Sequence, residues 1–180
     1  MKKGVYSAPA SNNEQPNSIG GYGMDPISWD LPVKVDDPTG ATATVTGTIE
    51  EAIAQMEARY SGRNATFPVP IPTTSAHISA AAAAGDPESF TCDVPFTKAS
   101  NNQILDGIHY LWGMSGTAKN GPGPGNCGCV SCSWWAAIYW CNDDDHEQEV
   151  RWKQIGNGAY FLRQHGCVTD NDLRIKGQAF

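Results

Sequence analysis

Six cysteines, Cys92, Cys127, Cys129, Cys132, Cys141 and Cys167, all lie in the second half of the 180-residue chain, and none precedes residue 92. An even number of cysteines crowded into a short region is the pattern of a small domain stapled by disulfides in an oxidising compartment. A core of roughly 90 residues folds alone only marginally, so cross-links worth ~2–4 kcal/mol each matter at that size. Tetrahedral zinc on the thiolates of Cys127, Cys129, Cys132 and Cys141 is the competing reading. It fits less well, because structural zinc sites use two separated pairs, whereas here three cysteines crowd between positions 127 and 132.

Charge and hydropathy narrow the function classes. With 12 Lys+Arg against 19 Asp+Glu the net charge is -7, and the sequence shows no basic cluster of the kind that phosphate binding requires, which excludes a nucleic-acid partner. The 19 Gly and 12 Pro interrupt every apolar run. No window approaches the ~20 apolar residues of a membrane helix. Asn64-Ala65-Thr66 is an N-glycosylation acceptor and agrees with a secreted glycoprotein. The start, Met1-Lys2-Lys3-Gly4-Val5-Tyr6, carries positive charge without an apolar segment behind it. The expectation is therefore a secreted, extracellular protein whose signal peptide is removed or missing from this version.

Residues 1–89 read as a flexible leader or pro-segment. Up to about residue 45 the chain is rich in Ser, Asn, Pro, Gly and Thr, a composition poor in apolar surface to set against ordering entropy. Thr48-Ile49-Glu50-Glu51 is a capping box, and Ile49, Ile53 and Met56 follow at near-helical spacing, predicting one short helix near 49–60. Pro68, Pro70 and Pro72 then favour an extended linker up to the alanine run at 80–84.

Residues 90–180 read as a cysteine-rich domain. Ser89 to Val94 alternates as a strand; Ser100 to Gln103 is a second capping box, opening a helix with Ile104, Leu105, Ile108, Leu111 and Trp112 on one side and ending at Gly113. A loop over 113–128 follows. Val130 to Cys141 is a strand-like run folding about Trp134-Trp135-Ala136, with an apolar helix as the alternative. Asp145 caps a second helix with Gln148 as its partner; Trp152, Ile155, Ala159 and Leu162 recur at helical spacing and Gly166 stops it. Leu173 to Phe180 alternates as a last strand. This order, β-α-β-β-α-β, predicts an α+β fold: a small disulfide-stabilised sandwich with two helices on an antiparallel sheet, preceded by the irregular leader.

Gly123-Pro124-Gly125-Asn126-Cys127-Gly128-Cys129-Val130-Ser131-Cys132-Ser133, Ala137-Ile138-Tyr139-Trp140-Cys141-Asn142-Asp143, Ile155-Gly156-Asn157-Gly158-Ala159 and Cys167 together resemble the small cysteine-containing secreted proteins of filamentous fungi, a family of effector candidates. Asp106 to Leu111 fits that family's helix and Gly177 to Phe180 the start of its last strand. By layout the chain is also similar to killer-toxin and necrosis-inducing effector folds, which are compact α/β sandwiches. Cys129 stands where the family more usually has a basic residue, and the family's closing segment with its final cysteine does not follow Phe180. Six cysteines allow fifteen connectivities. The pairing expected is Cys141 with Cys167, and Cys92 with one of the 127–132 group. The resemblance implies a virulence-associated, toxin-like binding protein.

The residues offer little to catalysis. Asp143-Asp144-Asp145-His146-Glu147 is the densest charge cluster, but it lacks the spacing of an EF-hand and suits the N-terminal dipole of the next helix. His109, His146 and His165 share the domain with the cysteines, yet a disulfide-bonded sulfur is no nucleophile of the Cys–His type and no protease signature surrounds any cysteine. Glu147, Glu149, Asp170 and Asp172 read as solvated carboxylates. Gly121 to Gly125 reads as a rigid turn, since its prolines remove the amide donors of a phosphate cradle. Five of the 6 tryptophans, Trp112, Trp134, Trp135, Trp140 and Trp152, fall in one stretch, and adjacent Trp134 and Trp135 point to opposite faces if extended. Trp134, Trp135, Tyr139 and Trp140 are thus the candidate binding residues. No catalytic residue, metal or cofactor is expected. The function expected is a monomeric secreted fungal effector or toxin-like protein that is not an enzyme and binds an extracellular protein or glycan; the alternatives are a carbohydrate-binding module or a hydrolase using the acidic loop 143–147.

Overall fold

The computed structural model describes residues 2–6, 18–19, 21–35, 37, 39–60, 87–113, 115–133 and 136–180. In chain order these form β1 (Lys2–Tyr6), β2 (Ser18–Ile19), β3 (Tyr22–Met24), β4 (Ser28–Pro32), β5 (Thr42–Thr46), α1 (Ile49–Arg59), β6 (Phe90–Thr91), β7 (Ala99–Ser100) and α2 (Asn101–Gly113). There follow β8 (Thr117–Asn120), β9 (Asn126–Ser133), β10 (Ala136–Asn142), β11 (Gln148–Arg151), α3 (Trp152–Gln164), β12 (Val168–Thr169), β13 (Arg174–Ile175) and β14 (Gly177–Ala179).

The strands assemble into a seven-stranded sheet, β2-β3-β9-β10-β1-β14-β6, a four-stranded sheet, β11-β8-β4-β5, and a three-stranded sheet, β12-β13-β7. Every pairing is antiparallel except β3 with β9. The fold is α+β and disulfide-bonded, as expected. The β-α-β-β-α-β order with two helices is corrected: three helices and three sheets are present among the described residues.

Strand β10 organises the packing. All seven of its residues are buried, because successive side chains leave opposite faces of a strand and here both faces are covered. Ala136, Ile138 and Trp140 enter the main core with Leu111, Trp152 and Leu162. Ala137, Tyr139 and Cys141 enter a second cluster with Ile19, Cys127 and Cys129.

For the described residues between 18 and 60, the flexible-leader expectation is corrected. Trp29, Leu31, Val45, Ile49, Ile53 and Met56 belong to the same core as Trp140 and Trp152. Strand β4 lies between β5 and β8, with Trp29 opposite Ala118, and the Trp29 and Trp152 rings meet edge-on, centroids 5.0 Å apart. The Trp29 indole N–H donates to Gly47 O at 2.8 Å. Averaged composition hid this because a half-buried strand needs an apolar residue only at every second position. In β4 those are Trp29 and Leu31, alternating with Ser28 and Asp30.

Helix α1 fulfils the expected helix near 49–60. Its capping box is complete: Glu51 N donates to Thr48 Oγ1 at 3.3 Å, and Thr48 N to Glu51 Oε2 at 2.9 Å. The helix also blunts a sheet edge, since Gln55 Nε2 donates to Thr46 O at 2.7 Å and Arg59 to Thr44 O at 3.5 Å along the outer rim of β5. Asn64, the prolines at 68, 70 and 72 and the alanine run at 80–84 lie outside the described residues.

Three further boundaries change. Residues 113–128 hold β8 and the start of β9 where a loop was expected. The second predicted helix begins at Trp152, not near Asp145, because Gln148–Arg151 pairs with β8 and buries Val150 against the core. Gln154 Oε1 then accepts from Arg151 N at 3.0 Å to open α3, and Gly166, at φ +87°, closes it. The last predicted strand splits into β13 and β14, which join different sheets.

All six cysteines are paired, as Cys92–Cys167, Cys127–Cys141 and Cys129–Cys132. The expected Cys141–Cys167 pairing is corrected: Cys141 faces Cys127 directly across the β9–β10 ladder. Cys167, just past α3, meets Cys92, just past β6, at a Cα–Cα distance of 5.1 Å, well within bridging range.

Candidate functional site

The candidate contact residues separate into two kinds. The last ladder pair of the hairpin is Ser133 opposite Ala136, and the two residues joining them are Trp134 and Trp135, which lie outside the described residues. Tyr139 and Trp140 are wholly enclosed, at 0% exposure each. They cannot serve as a contact surface, and that part of the expectation is corrected; their role is to fill the two layers that β10 separates.

Burial pushes the Tyr139 hydroxyl up to about 12. A tyrosine in the unfolded chain ionises near ~10, so the stability linked to neutral Tyr139 is intact below about pH 10 and is lost as pH rises towards 12. Alkaline titration followed at the tyrosinate absorbance should show one late-ionising tyrosine coinciding with unfolding. Tyr139→Phe should move that alkaline midpoint upward; an unmoved midpoint would count against the assignment.

Sequence reasoning missed the α2–α3 surface as a cluster. Gly156 brings α3 close under α2, since a Cβ there would meet the Trp112 ring at 3.0 Å. The half-buried Trp112 donates its indole N–H to Asn157 Oδ1 at 2.9 Å and packs on Tyr160 with centroids 5.0 Å apart. His109 lies 6.1 Å from Trp112, and the Arg163 guanidinium sits 5.8 Å from the Tyr160 ring centre. Burial lowers the pKa of both His109 and Arg163. The signal available was the matching i, i+3 spacing of His109 with Trp112 and of Tyr160 with Arg163. The rings are tilted, 44° between His109 and Trp112 and 59° between Trp112 and Tyr160, so they form no flat strip for a sugar chain.

The acidic loop is a solvated turn. Asn142 organises it from within: its side-chain amide donates to Gly121 O at 2.8 Å and His146 O at 2.7 Å, and its Oδ1 accepts from Asp144 N at 2.9 Å. Asp143 and Asp144 are half-buried, whereas Asp145, His146 and Glu147 are exposed, with the Asp145 carboxylate 94% exposed beside His146 at 3.0 Å. That pairing raises the pKa of His146 and lowers that of Asp145, each mainly through their mutual hydrogen bond. Among the described residues no group of three or more His, Cys, Asp or Glu is placed to hold a metal ion. The other carboxylates singled out are dispersed: Asp170 pairs with Lys98 at 3.0 Å, and the Asp172 carbonyl accepts from Asn101 Nδ2 at 2.8 Å. Gly123 packs its backbone against this same turn, donating to Asp144 O at 2.7 Å.

No described helix is long and apolar enough to cross a membrane. No family model, curated protein or solved structure matches the chain.

Proposed function

We propose that this chain is a secreted fungal protein of effector or toxin-like type that acts by binding an extracellular host or competitor target, with no catalytic step. The observation that carries the reading is the oxidised state of all six cysteines, which suits an oxidising compartment. Trp134 and Trp135 are the contact residues, the two that join the paired Ser133 and Ala136 along the chain. Paired tryptophans bring large contact area at low rotamer cost, which suits a protein–protein anchor. The mutually tilted rings of the α2–α3 surface offer no flat strip as a glycan site there.

The test is capture from host extracellular fluid by the disulfide-bonded protein, run beside a glycan array. Trp134→Ala/Trp135→Ala should reduce capture at least tenfold while leaving the melting temperature within a few degrees. Capture undiminished in that variant would remove the hairpin as contact surface, and strong array binding with no protein captured would favour the carbohydrate-binding alternative. Turnover of a polysaccharide, lost on neutralising Asp143 to Glu147, would favour the hydrolase.

A further inference from the structure

The three disulfides do different work. Cys92–Cys167 and Cys127–Cys141 each join separate elements, with sequence separations of 75 and 14. Cys129–Cys132 links two residues of one strand, a separation of 3. It therefore holds no element to another. Because loop closure stabilises a fold roughly as the logarithm of loop length, the fold in turn protects this bond least.

The bond is also built on an irregularity. Residues three apart on a regular strand point to opposite faces and cannot be bridged. Here the β9–β10 register shifts between Ile138 and Tyr139: Ser131 lies opposite Ile138 and Cys129 opposite Tyr139, so Val130 has no residue across from it. Such a bulge re-aims one side chain, and it brings the two sulfurs together. Their surroundings differ. Cys129 is 1% exposed, whereas Cys132 is only half-buried. The Cys129 sulfur lies 3.8 Å from the Ile138 carbonyl oxygen, an acceptor for its S–H once the bond opens. Between them, Ser131 donates to Glu50 Oε1 of α1 at 2.6 Å, which anchors the strand without help from the disulfide.

We propose that Cys129-Val130-Ser131-Cys132 is a thiol–disulfide exchange site that oxidises an external dithiol, with Cys132 as the sulfur attacked. The external thiolate forms a bond to Cys132 Sγ; the Cys129–Cys132 bond breaks, and its electron pair leaves on Cys129 Sγ, which takes a proton and remains as a buried neutral thiol. The second thiol of the external dithiol, as thiolate, then attacks the first sulfur of the same molecule in the mixed disulfide; the bond to Cys132 breaks, and its electron pair leaves on Cys132 Sγ, which takes a proton. The external dithiol is oxidised to a disulfide and the protein's disulfide is reduced to two thiols. This assignment is independent of the target-binding reading above.

The experiment titrates the native, full-length protein with dithiothreitol, traps free thiols with N-ethylmaleimide and locates the label by peptide mass spectrometry. Cys129 and Cys132 should be labelled at a reductant concentration at least tenfold below that needed for the other four. With the monothiol glutathione in place of dithiothreitol, the adduct should sit on Cys132 and not on Cys129. Two single variants supply a second measurement: the remaining Cys132 thiol of Cys129→Ser should react with oxidised glutathione at least tenfold faster than the Cys129 thiol of Cys132→Ser. First opening of Cys92–Cys167, simultaneous opening of all three bonds, an adduct on Cys129, or equal rates in the two variants would each overturn the proposal.

Discussion

A chain beginning at residue 61 is expected not to fold, although it keeps all six cysteines. Removing residues 1–60 takes away β1, which lies between β10 and β14, and β4 with β5, which are two of the four strands of the smaller sheet. It also strips Trp29, Leu31, Val45, Ile49, Ile53 and Met56 from the core that contains Trp140 and Trp152. Burying one such side chain is worth about 1.5–3 kcal/mol, and a whole domain retains only ~5–15 kcal/mol. Six of them are worth about as much as the whole stability of a domain. The contacts are shaped as well as numerous: Ile27, fully buried, lies on Gly128 of β9, where any Cβ would collide with its side chain. The shortened chain should lose its near-ultraviolet tryptophan dichroism, bind a hydrophobic dye and melt without a cooperative transition. A smaller probe of the same contact is Trp29→Ala, expected to cost ~3–5 kcal/mol by chemical denaturation because it empties the position against Trp152. A sharp cooperative melt in the shortened chain would mean that residues 90–180 fold alone.

What could be read from the sequence follows the range of the forces involved. Helix α1 was legible because its start is set locally, by Thr48 and Glu51 three residues apart. The end of α3 was legible for the same reason, since Gly166 alone supplies the left-handed conformation. The hairpin of β9 and β10 showed in its β-branched and aromatic run. Non-local choices were not legible. Gln148 to Arg151 carries a helix-compatible pattern, and only pairing of Val150 with Ala118 on β8 makes it a strand. The disulfide pairing depends on which residues the ladder sets opposite one another, and Cys127 faces Cys141 through a register that no spacing rule encodes. At the candidate site, Trp140 and Trp134 looked alike in sequence. Trp140 is buried because residues far away along the chain, among them Trp29, Ile53 and Trp152, share its core.

Replacing Cys92 and Cys167 together by alanine is expected to lower stability by ~4 kcal/mol, the loop-closure value for a separation of 75. The same replacement of Cys129 and Cys132 should cost no more than ~2 kcal/mol, their separation being 3. The first bond ties β6, the edge strand of the seven-stranded sheet, to the end of α3. Strand β6 is otherwise held by two ladder pairs, Thr91 with Gln178 and Phe90 with Ala179, and by the edge-on contact of Phe90 with Phe161 at 5.5 Å. Those contacts keep the native state in place when the bond is gone, so the loss falls chiefly on the unfolded side, where the chain gains freedom. The melting temperature should fall by roughly 8–16 °C for a domain of this size. In urea the m-value should rise, because an uncrosslinked unfolded chain exposes more surface. Cys167 is packed as tightly as it is bonded: a Cβ on Gly177 of β14 would lie 2.9 Å from its sulfur. Part of the loss will therefore be a packing defect, and Cys92→Ala/Cys167→Val, which refills the space without the bond, should recover only that part. Equal losses in the 92/167 and 129/132 alanine pairs would show that loop closure in the unfolded chain does not set what these bonds contribute.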